Sequence, residues 1–462
     1  MSFGRSRLFL VSTALSAAML VSVAPAASAA EPTVLTLTAP GGYAGEDTTL
    51  AIALTQADGA PVPAAQVVVE RRVGDAWAVV GAVTTDDAGS ATLEQTLSRA
   101  AADNLWRASY AGDATYAPSA DEAGASLRRR NATVRLTGPV RVVDERSALL
   151  RVRWTTGSGQ PVRGTLRLER RIAGQGWKRA GTLLTRADGR ASVRMSPRMD
   201  SRWRVRAPRL DWVHGDLSRV HVLDNVPPRA PVVLPAGAPE PRVQVPVPRR
   251  AVGEGANLVV SPIPDGVWDE MTGVTWHRGC PVGRSGLRLV RVNYWAYDGY
   301  RRRGEVVTAA GASDQIGGAL AEMYDRGFPI RSMYRVDRFG WSRRLHGGDD
   351  YASMAAGNTS AFNCRWVVNR PGVRSPHSYG RSLDVNTWEN PYRSATGLVP
   401  NSWWQGRSHP LVAWRSRSHP VVRIMRSHGL HWTYGRGDTQ HFDARRHGRV
   451  VGYRGCVDVY CH

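Results

Sequence analysis

An internal repeat restricts the architecture of this 462-residue chain more than any other feature. The dipeptide Pro61-Val62 recurs as Pro161-Val162, and Trp77 recurs as Trp177. A period of this length corresponds to one small domain, so both copies should adopt the same architecture. Three further pairs recur in the same order: Glu70-Arg71-Arg72 with Glu169-Arg170-Arg171, Gly89 with Gly189, and Trp106-Arg107 with Trp203-Arg204.

Each copy has the pattern of antiparallel β-strands. Short alternating segments such as residues 66–70 and 165–169 are separated by turn dipeptides, including Asp58-Gly59 and Asp188-Gly189. This pattern predicts two all-β sandwiches at residues 32–128 and 132–224. They resemble bacterial immunoglobulin-like domains, without cysteines for an inter-sheet disulfide.

The paired Trp77 and Trp177 are interpreted as packed residues of the two sandwiches. A glycan-binding platform is the alternative interpretation. We expect the sandwiches themselves to act as spacers or as cell-wall-binding modules.

A proline-rich segment follows the repeats at residues 226–254. Proline lacks a backbone N–H and fixes its φ angle, so this density excludes a helix or a central strand. The composition predicts an extended linker that separates the sandwiches from the next domain and lets it reorient. The prolines are Pro227, Pro228, Pro231, Pro235, Pro239, Pro241, Pro246 and Pro248.

The remaining residues, 255–462, mix strand and helix patterns and predict an α+β domain with an antiparallel sheet. Residues 287–294 and 304–307 alternate as strands do. Apolar residues recur at helical spacing between Ser313 and Arg326, with Gly327 placed to end the helix. A second helix is predicted from Pro420 to His428.

The first 29 residues have the composition of a secretory signal peptide. Arg5 and Arg7 precede an apolar run, and Ala27-Ser28-Ala29 forms a small-residue cleavage site. We expect a secreted protein, extracellular or associated with the cell wall, with no transmembrane segment after signal cleavage. An uncleaved membrane anchor is the alternative.

The chain is strongly basic, with 61 Lys plus Arg, 39 Asp plus Glu and a formal charge of +22. Such a surface attracts polyanions, and anionic cell-wall polymers are the predicted partners. Arginine-rich codon usage would give the same composition without any binding function. Zinc-finger spacing and aromatic RNA-binding signatures are missing from the sequence, so nucleic acid is not predicted as a partner.

The four cysteines, Cys280, Cys364, Cys456 and Cys461, all lie at or beyond residue 280. They lack the C-x-x-C spacing of a structural zinc site, which favours disulfides in an exported protein. Four cysteines permit three pairings. We favour Cys280 with Cys364 and Cys456 with Cys461.

Two motifs in the last domain carry potential ligands for a catalytic metal ion. Residues 375–384 read S-P-H-S-Y-G-R-S-L-D, and residues 438–441 read D-T-Q-H. Two imidazoles and one carboxylate would give Zn²⁺ three protein ligands and leave one coordination position open for a water molecule. A histidine and an aspartate at this spacing are a weak signal alone, but the D-x-x-H motif strengthens it.

The domain resembles the M15 metallopeptidases, which are zinc D-alanyl-D-alanine carboxypeptidases and L-alanyl-D-glutamate endopeptidases of peptidoglycan. The resemblance covers nearly all of the last two hundred residues and none of the repeats. It runs through the two motifs above and through Cys280-Pro281-Val282, Phe328-Pro329-Ile330, the segment 358–365, Asn390-Pro391-Tyr392 and Phe442.

The resemblance implies a role for each residue of the two motifs. It makes His377, Asp384 and His441 the zinc ligands. It makes Asp438 the general base, although many relatives carry glutamate there. The shorter aspartate requires a backbone closer to the metal.

Three further residues are candidates with open alternatives. The resemblance makes Arg365 a cation near the scissile group, and an internal salt bridge is the alternative. Ser375 contacts substrate or shapes the ligand loop. His431 either contacts substrate or hydrogen-bonds to a metal ligand, and it is also a reserve ligand in place of His377.

The predicted function is hydrolysis of peptide bonds in peptidoglycan stem peptides by a secreted, monomeric zinc peptidase. The sequence does not determine which peptide bond is cut. Two alternatives remain: a cell-wall-binding or adhesin protein with a degenerate zinc domain, and a secreted zinc peptidase with a substrate outside the wall.

Overall fold

The structure is a computed structural model that describes residues 30–367, 370–395 and 397–444. The predicted signal peptide and the pair Cys456 and Cys461 lie outside these residues. The described chain is multidomain and consists mostly of β-sheets with few helices. Two hydrophobic cores lie in the repeat region, and three more lie in the C-terminal region.

The first repeat folds into two sheets around one core. Its strands are β1 (Thr33–Thr38), β2 (Gly42–Tyr43), β3 (Asp47–Gln56), β4 (Gln66–Val73), β5 (Ala76–Thr84), β6 (Ser90–Thr96), β7 (Leu105–Tyr110), β8 (Ser119–Gly124) and β9 (Leu127–Arg128). One sheet has the order β1-β3-β6 and the other β5-β4-β7-β8. Leu50, Ile52 and Leu54 alternate inward from β3 and meet Trp106 of β7, as a sandwich core requires.

The second repeat has the same arrangement. Its strands are β10 (Ala132–Thr137), β11 (Arg141–Val143), β12 (Ala148–Thr156), β13 (Thr165–Arg171), β14 (Lys178–Leu184), β15 (Arg190–Met195), β16 (Ser201–Ala207), β17 (Asp216–Leu217) and β18 (His221–Val226). The sheet β10-β12-β15 faces the sheet β11-β18-β16-β13-β14, and β17 pairs with β16. Leu150, Val152 and Trp154 fill the shared core from β12.

The two repeats share local details as well as strand order. Both carry a register shift at the same place, between Val69 and Glu70 on β4 and between Leu168 and Glu169 on β13. The predicted repeat therefore corresponds to two similar sheet pairs. Their identification as immunoglobulin-like domains and their boundaries stay predictions.

The repeated tryptophans are covered by arginine side chains. The Arg107 guanidinium lies 4.7 Å from the centre of the Trp77 ring and forms a 2.6 Å ion pair with Glu70. This cation–π packing supports the interpretation of these tryptophans as packed residues. The corresponding residues of the second repeat are Trp177, Arg204 and Glu169, with distances of 4.2 and 2.6 Å.

The C-terminal region mixes short sheets with helices. Its helices are α1 (Asp265–Met271), α2 (Ser313–Asp325), α3 (Asp350–Ala355) and α4 (Pro420–Ser427). Its strands are β19 (Val259–Pro262), β20 (Leu287–Trp295), β21 (Arg301–Ala309), β22 (Trp341–Ser342), β23 (Gly347–Gly348), β24 (Trp366–Val367), β25 (Arg370–Arg374), β26 (Ser382–Asp384), β27 (Tyr392–Ser394), β28 (Gly397–Val399), β29 (Leu430–His431) and β30 (His441–Ala444). The predicted helices at 313–326 and 420–428 are confirmed by α2 and α4.

Helix α2 packs on the antiparallel sheet β19-β20-β21 through Ile316, Leu320 and Met323, which are fully buried. The same core includes Leu383 of β26 and Phe442 of β30. These two residues fix the sheet β26-β30-β29 to the main core of this region. The side chains on the other face of that sheet are therefore held in defined positions.

The proline-rich segment packs on the C-terminal region, which corrects the expectation of a free spacer. The Trp388 indole N–H donates to the Pro239 carbonyl at 2.6 Å, and the Tyr334 hydroxyl donates to the Pro246 carbonyl at 2.7 Å. Extended proline-rich backbone has no internal hydrogen bonds, so its carbonyls remain available to donors of the adjoining domain. Residues 227–248 contain no helix or strand, as predicted, but Val226, the first residue of the predicted segment, belongs to β18.

The second repeat also contacts the C-terminal region directly. Arg301 forms a 2.5 Å ion pair with Glu145, and Arg250 approaches Asp144 at 3.4 Å. Asp144 is buried at this junction, and its charge is balanced by Arg250 of the proline-rich segment and by Arg198 of the same repeat. The contacts oppose the predicted free reorientation.

A disulfide joins Cys280 to Cys364, as favoured from the sequence. Cys364 is buried in a core that includes Leu289 and Val307 of the main sheet. Among the described helices, none combines the length and apolar character needed to cross a membrane.

We predict that replacing both Cys280 and Cys364 with serine lowers the stability of the C-terminal region. The bridge closes a loop between two cysteines that are 84 positions apart in the sequence. Constraining a loop of that size in the unfolded chain contributes about 4–5 kcal/mol. Thermal unfolding followed by circular dichroism should show a lower melting temperature for the variant.

The control is the same experiment with reductant. Reductant should lower the melting temperature of the unaltered protein and change that of the double variant much less. Equal melting temperatures for oxidised protein and double variant would show that the bridge does not stabilise the fold.

Candidate metal centre

A capped turn places His377 at the start of the candidate site. The side chain of Ser375 accepts a hydrogen bond from the His377 backbone N–H, and Pro376 occupies the next position of the turn. Gly380 ends the turn with a φ of 66°, and a Cβ there would lie 2.5 Å from the Ala309 nitrogen. Only glycine avoids both the backbone strain and this clash.

Two paired strands place the other two predicted ligands side by side. In the antiparallel pair β26–β30, Asp384 lies directly opposite His441. Leu383 and Phe442, which precede Asp384 and follow His441, point to the opposite face and are fully buried in the core. The alternation of side chains along a strand therefore directs the carboxylate and the imidazole to the same side.

The structure brings His377, Asp384 and His441 into one buried cluster. His377 Nε2 lies 3.2 Å from His441 Nδ1 and 3.2 Å from Asp384 Oδ2. His441 Nδ1 lies 3.0 Å from Asp384 Oδ1. All three side chains are at most 3% exposed.

The second ring nitrogen of each histidine is hydrogen-bonded outside the cluster. His377 Nδ1 lies 2.6 Å from the Ala361 carbonyl oxygen, which can only accept, so Nδ1 carries the proton. His441 Nε2 lies 2.9 Å from Asp443 Oδ1 and donates in the same way. Each ring therefore directs a lone pair toward the other ring and toward Asp384.

This donor set fits a small divalent cation. Two lone pairs 3.2 Å apart repel each other unless a proton or a cation lies between them. Tetrahedral zinc with bonds of about 2.0–2.1 Å places its ligand atoms about 3.3 Å apart. The three separations in the cluster are close to that value, and two imidazoles with a carboxylate are a donor set that zinc accepts.

The electrostatics of the cluster also favour positive charge. Burial would raise the pKa of Asp384, but His377 and His441 outweigh burial and hold that pKa well below its ordinary value. Burial would lower the pKa of His441, but Asp443 and Asp384 raise it well above its ordinary value. A cation bound at Nδ1 of His441 would replace the proton that these carboxylates attract.

Asp443 is a further residue of the candidate site, to which the sequence motifs did not point. Besides His441, its carboxylate accepts hydrogen bonds from the Ser382 hydroxyl at 2.6 Å and the Thr433 hydroxyl at 2.6 Å. Burial would raise the pKa of Asp443, but His441 and these hydroxyls keep it below its ordinary value. The signal that could have identified Asp443 is its position two residues after His441. Residues i and i+2 of a strand face the same side, so an acid there lies beside the histidine.

Asp438, the predicted base, is fully buried beside this cluster. It forms an isolated antiparallel bridge with Tyr392 and begins the segment that leads into β30. Burial raises the pKa of Asp438 well above its ordinary value, and the neighbouring carboxylates of Asp384 and Asp443 reinforce this rise against the opposing charge of His441. With this raised pKa, the carboxyl group holds a proton more readily than an ordinary aspartate does, as a general acid or base must.

Arg365 lies deep in the domain. It is fully buried, and its guanidinium forms a 2.7 Å ion pair with Asp350 and donates to the Trp366 carbonyl at 3.2 Å. These contacts support the internal salt bridge that the sequence left as the alternative. Arg365 and Asp438 both influence the pKa of Tyr392. The Arg365 guanidinium therefore lies in the surroundings of the candidate metal centre.

Ser375 and His431 take positions that the sequence left open. Ser375 is fully buried and caps the His377 turn, which supports a role in shaping the ligand loop. His431 lies on β29 opposite Asp443 and is not part of the three-residue cluster. A substrate contact by either residue stays a prediction.

A second cluster contains His277, Cys280 and Cys364. Its two sulfurs are joined in the disulfide, so they are not available as thiolate ligands. The cluster of His377, Asp384 and His441 is therefore the candidate metal centre of the described residues.

A protein-family model described as D-alanyl-D-alanine carboxypeptidase, of the M15 type, matches residues 369–444. The match includes His377, Asp384, Asp438 and His441 but leaves out Arg365 and both repeats. It supports a peptidase of the D-alanyl-D-alanine carboxypeptidase type in this short C-terminal region. No curated protein matches the chain.

Solved structures show only distant likeness. The chain is similar to α2-macroglobulin of E. coli, with 9% identity and a TM-score of 0.19 over 58% of this chain and 18% of that one. A marsupial T cell receptor shows 10% identity and a TM-score of 0.21 over 59% of this chain and 99% of that one. A Salmonella α2-macroglobulin mutant shows 13% identity and a TM-score of 0.19 over 57% of this chain and 18% of that one. The chain thus spans less than a fifth of each macroglobulin, and such TM-scores carry no structural conclusion.

We predict that Asp443→Ala weakens zinc binding about 10–100-fold, because His441 loses the acceptor that fixes its tautomer and ring orientation. Competition titration against a chromophoric zinc chelator measures this directly. Thr433→Val is the matched control. It removes one donor to Asp443 but leaves the His441 contact intact, so the affinity should change little.

The prediction requires that Asp443→Ala remains folded, which circular dichroism checks. A folded variant with unaltered zinc affinity would show that Asp443 does not position His441.

Proposed function

We propose that this protein is a zinc-dependent peptidase that hydrolyses peptide bonds of peptidoglycan stem peptides outside the cell. The observation that carries this proposal is the convergence of two imidazole lone pairs and one carboxylate next to a buried acid, Asp438. The family match over residues 369–444 supports the same reaction class.

In this proposal His377, Asp384 and His441 hold the zinc ion. When bound there, zinc polarises a substrate carbonyl and lowers the pKa of a water molecule. Asp443 and the Ala361 carbonyl keep the two imidazoles in the required tautomers. Asp384 carries negative charge that offsets part of the charge of the cation.

Asp438 is the proposed proton carrier. A buried carboxylate with a raised pKa accepts a proton readily from the attacking water and can return it to the departing amine. Binding of a cation nearby would lower this pKa, because positive charge stabilises the carboxylate. One residue can therefore act first as base and then as acid.

Arg365 takes a positioning role in this proposal. Its ion pair with Asp350 connects the segment before the His377 turn to the start of α3. The Arg365 carbonyl also accepts the backbone N–H of Ser375, which caps the same turn. The side chain thus supports the loop that carries the first ligand.

The substrate assignment and the location outside the cell follow from the sequence expectations. The basic composition suits a wall rich in acidic polymers and peptide carboxylates. The alternatives are a wall-binding protein without catalysis and a peptidase of other substrates. The experiments below separate all three.

We predict that Asp438→Asn lowers the rate of stem-peptide hydrolysis about 10²–10⁴-fold, because the amide cannot carry the proton. Zinc content, measured by atomic absorption, should stay at one ion per chain. Asp269→Asn is the charge-matched control, since Asp269 is exposed on α1 in the same region. Unchanged hydrolysis by Asp438→Asn would exclude Asp438 as the proton carrier.

We also predict that His377→Ala and a chelator each abolish cleavage of isolated peptidoglycan, and that zinc restores the chelated enzyme only. Mass spectrometry of the soluble products should identify the broken peptide bond. Zinc-dependent cleavage of a protein library, without cleavage of peptidoglycan, would favour another substrate. Complete absence of zinc-dependent turnover would favour the non-catalytic binding protein.

A further inference from the structure

Five arginines project from one face of the second repeat. In the sheet β10-β12-β15, Arg135 lies opposite Arg153, and Arg153 lies opposite Arg190, so three arginines form one row across three strands. Arg151 occupies the next row on β12, and Arg194 the row after it on β15. All five side chains are exposed.

The other positions of this face carry no acidic or aromatic side chain. Arg190 has an ion partner in Asp188 at 4.0 Å, and both side chains of that pair are exposed, so it contributes little. The face is therefore a flat positive surface. Its other side chains are Thr133, Thr137, Leu149, Thr155 and Ser192.

The first repeat provides an internal comparison. Its sheet β1-β3-β6 has the same register, with Thr36 opposite Ala53 and Ala53 opposite Ser90 in the row that corresponds to the three arginines. The position of Arg151 is taken by Ala51, and that of Arg194 by Glu94. The same surface is thus uncharged or acidic in one copy and basic in the other.

This difference between the repeats argues against general arginine enrichment of the chain as the cause of the arginine face. Codon usage acts on both repeats alike, yet all five arginines fall on the second copy. Like charges directly opposite each other across strands also destabilise a sheet. A row of three arginines therefore costs stability, which a bound anion would offset.

We propose that this arginine face binds a linear phosphodiester polymer of the cell wall, of the poly(glycerol phosphate) kind. Neighbouring strands lie about 4.8 Å apart, and side chains on one face of a strand repeat about every 6.8 Å. The face thus offers closely spaced guanidinium groups, whose forked N–H donors match phosphate oxygens.

A nucleic acid fits this face less well. Single strands gain much of their binding energy from bases stacked on aromatic side chains, and the ten positions of the face contain none. A polymer that consists of phosphates and a polyol backbone needs only the charges. The proposal rests on the repeat and on the proposed location outside the cell, and not on the peptidase activity.

The test compares the full chain with a variant that carries the first repeat's residues at four positions: Arg135→Thr, Arg151→Ala, Arg153→Ala and Arg190→Ser. The first repeat accepts these residues in the same register, so the sheet should be retained. Isothermal titration with soluble poly(glycerol phosphate) should show affinity reduced about 100-fold. The dependence of log affinity on log salt concentration should also become less steep by about 3.

The control variant removes the same charge from exposed positions elsewhere on the repeat: Arg146→Ala, Lys178→Ala, Arg179→Ala and Arg202→Ala. It should keep most of the affinity. Equal losses in the two variants would show that net charge alone drives binding and would overturn the proposal. Unchanged affinity of the face variant would overturn it as well.

Single-stranded DNA of matched phosphate number is the competing ligand. Weaker binding of DNA than of poly(glycerol phosphate) supports the wall polymer. Tighter binding of DNA, lost in the face variant, would assign the face to nucleic acid instead. Because titration reads binding without turnover, the result is independent of whether the C-terminal region proves to be a peptidase.

Discussion

The pairing of Asp384 with His441 across strands β26 and β30 is the constraint on which the candidate site depends. It places a carboxylate and an imidazole 3.0 Å apart, and Leu383 and Phe442 anchor the two strands in the hydrophobic core behind them. The Gly380 turn then brings His377 to the same point. Because all three are buried and two are tied by outer acceptors, the cluster is preorganised for a cation, and binding requires little rearrangement.

The buried acids around this cluster divide into two electrostatic classes. Asp384 and Asp443 are surrounded by imidazoles and donors, so their pKa values lie below the ordinary value and they stay ionised. Asp438 lies beside these two negative charges in a buried position, so its pKa is raised. The separation of permanently charged acids from one titratable acid is what a hydrolytic site needs, since metal ligands must remain anionic while the proton carrier must change state.

The rest of the chain shows how one backbone plan can carry two surfaces. Both repeats use the same register and the same arginine-covered tryptophan, yet the exposed face of the sheet β1-β3-β6 is uncharged or acidic and that of the sheet β10-β12-β15 is basic. The second repeat also contacts the C-terminal region through Glu145 and Arg301. The proline-rich segment packs against that region, because its unpaired carbonyls meet donors such as Trp388 and Tyr334. The second repeat and the proline-rich segment thus both contact the C-terminal region that carries the candidate metal centre.

The sequence by itself determined the repeat and helices α2 and α4, because these depend on local periodicity and on glycine conformations, which are properties of short segments. It favoured the Cys280–Cys364 disulfide among three possible pairings, and the family resemblance pointed to the residues of the candidate cluster. Only the tertiary structure decided that Asp443 holds His441, that Arg365 is paired with Asp350, that the proline-rich segment packs on the C-terminal region, and that five arginines align on one face. Each of these depends on strand register or on contacts between distant segments, and a one-dimensional pattern does not encode which partners meet.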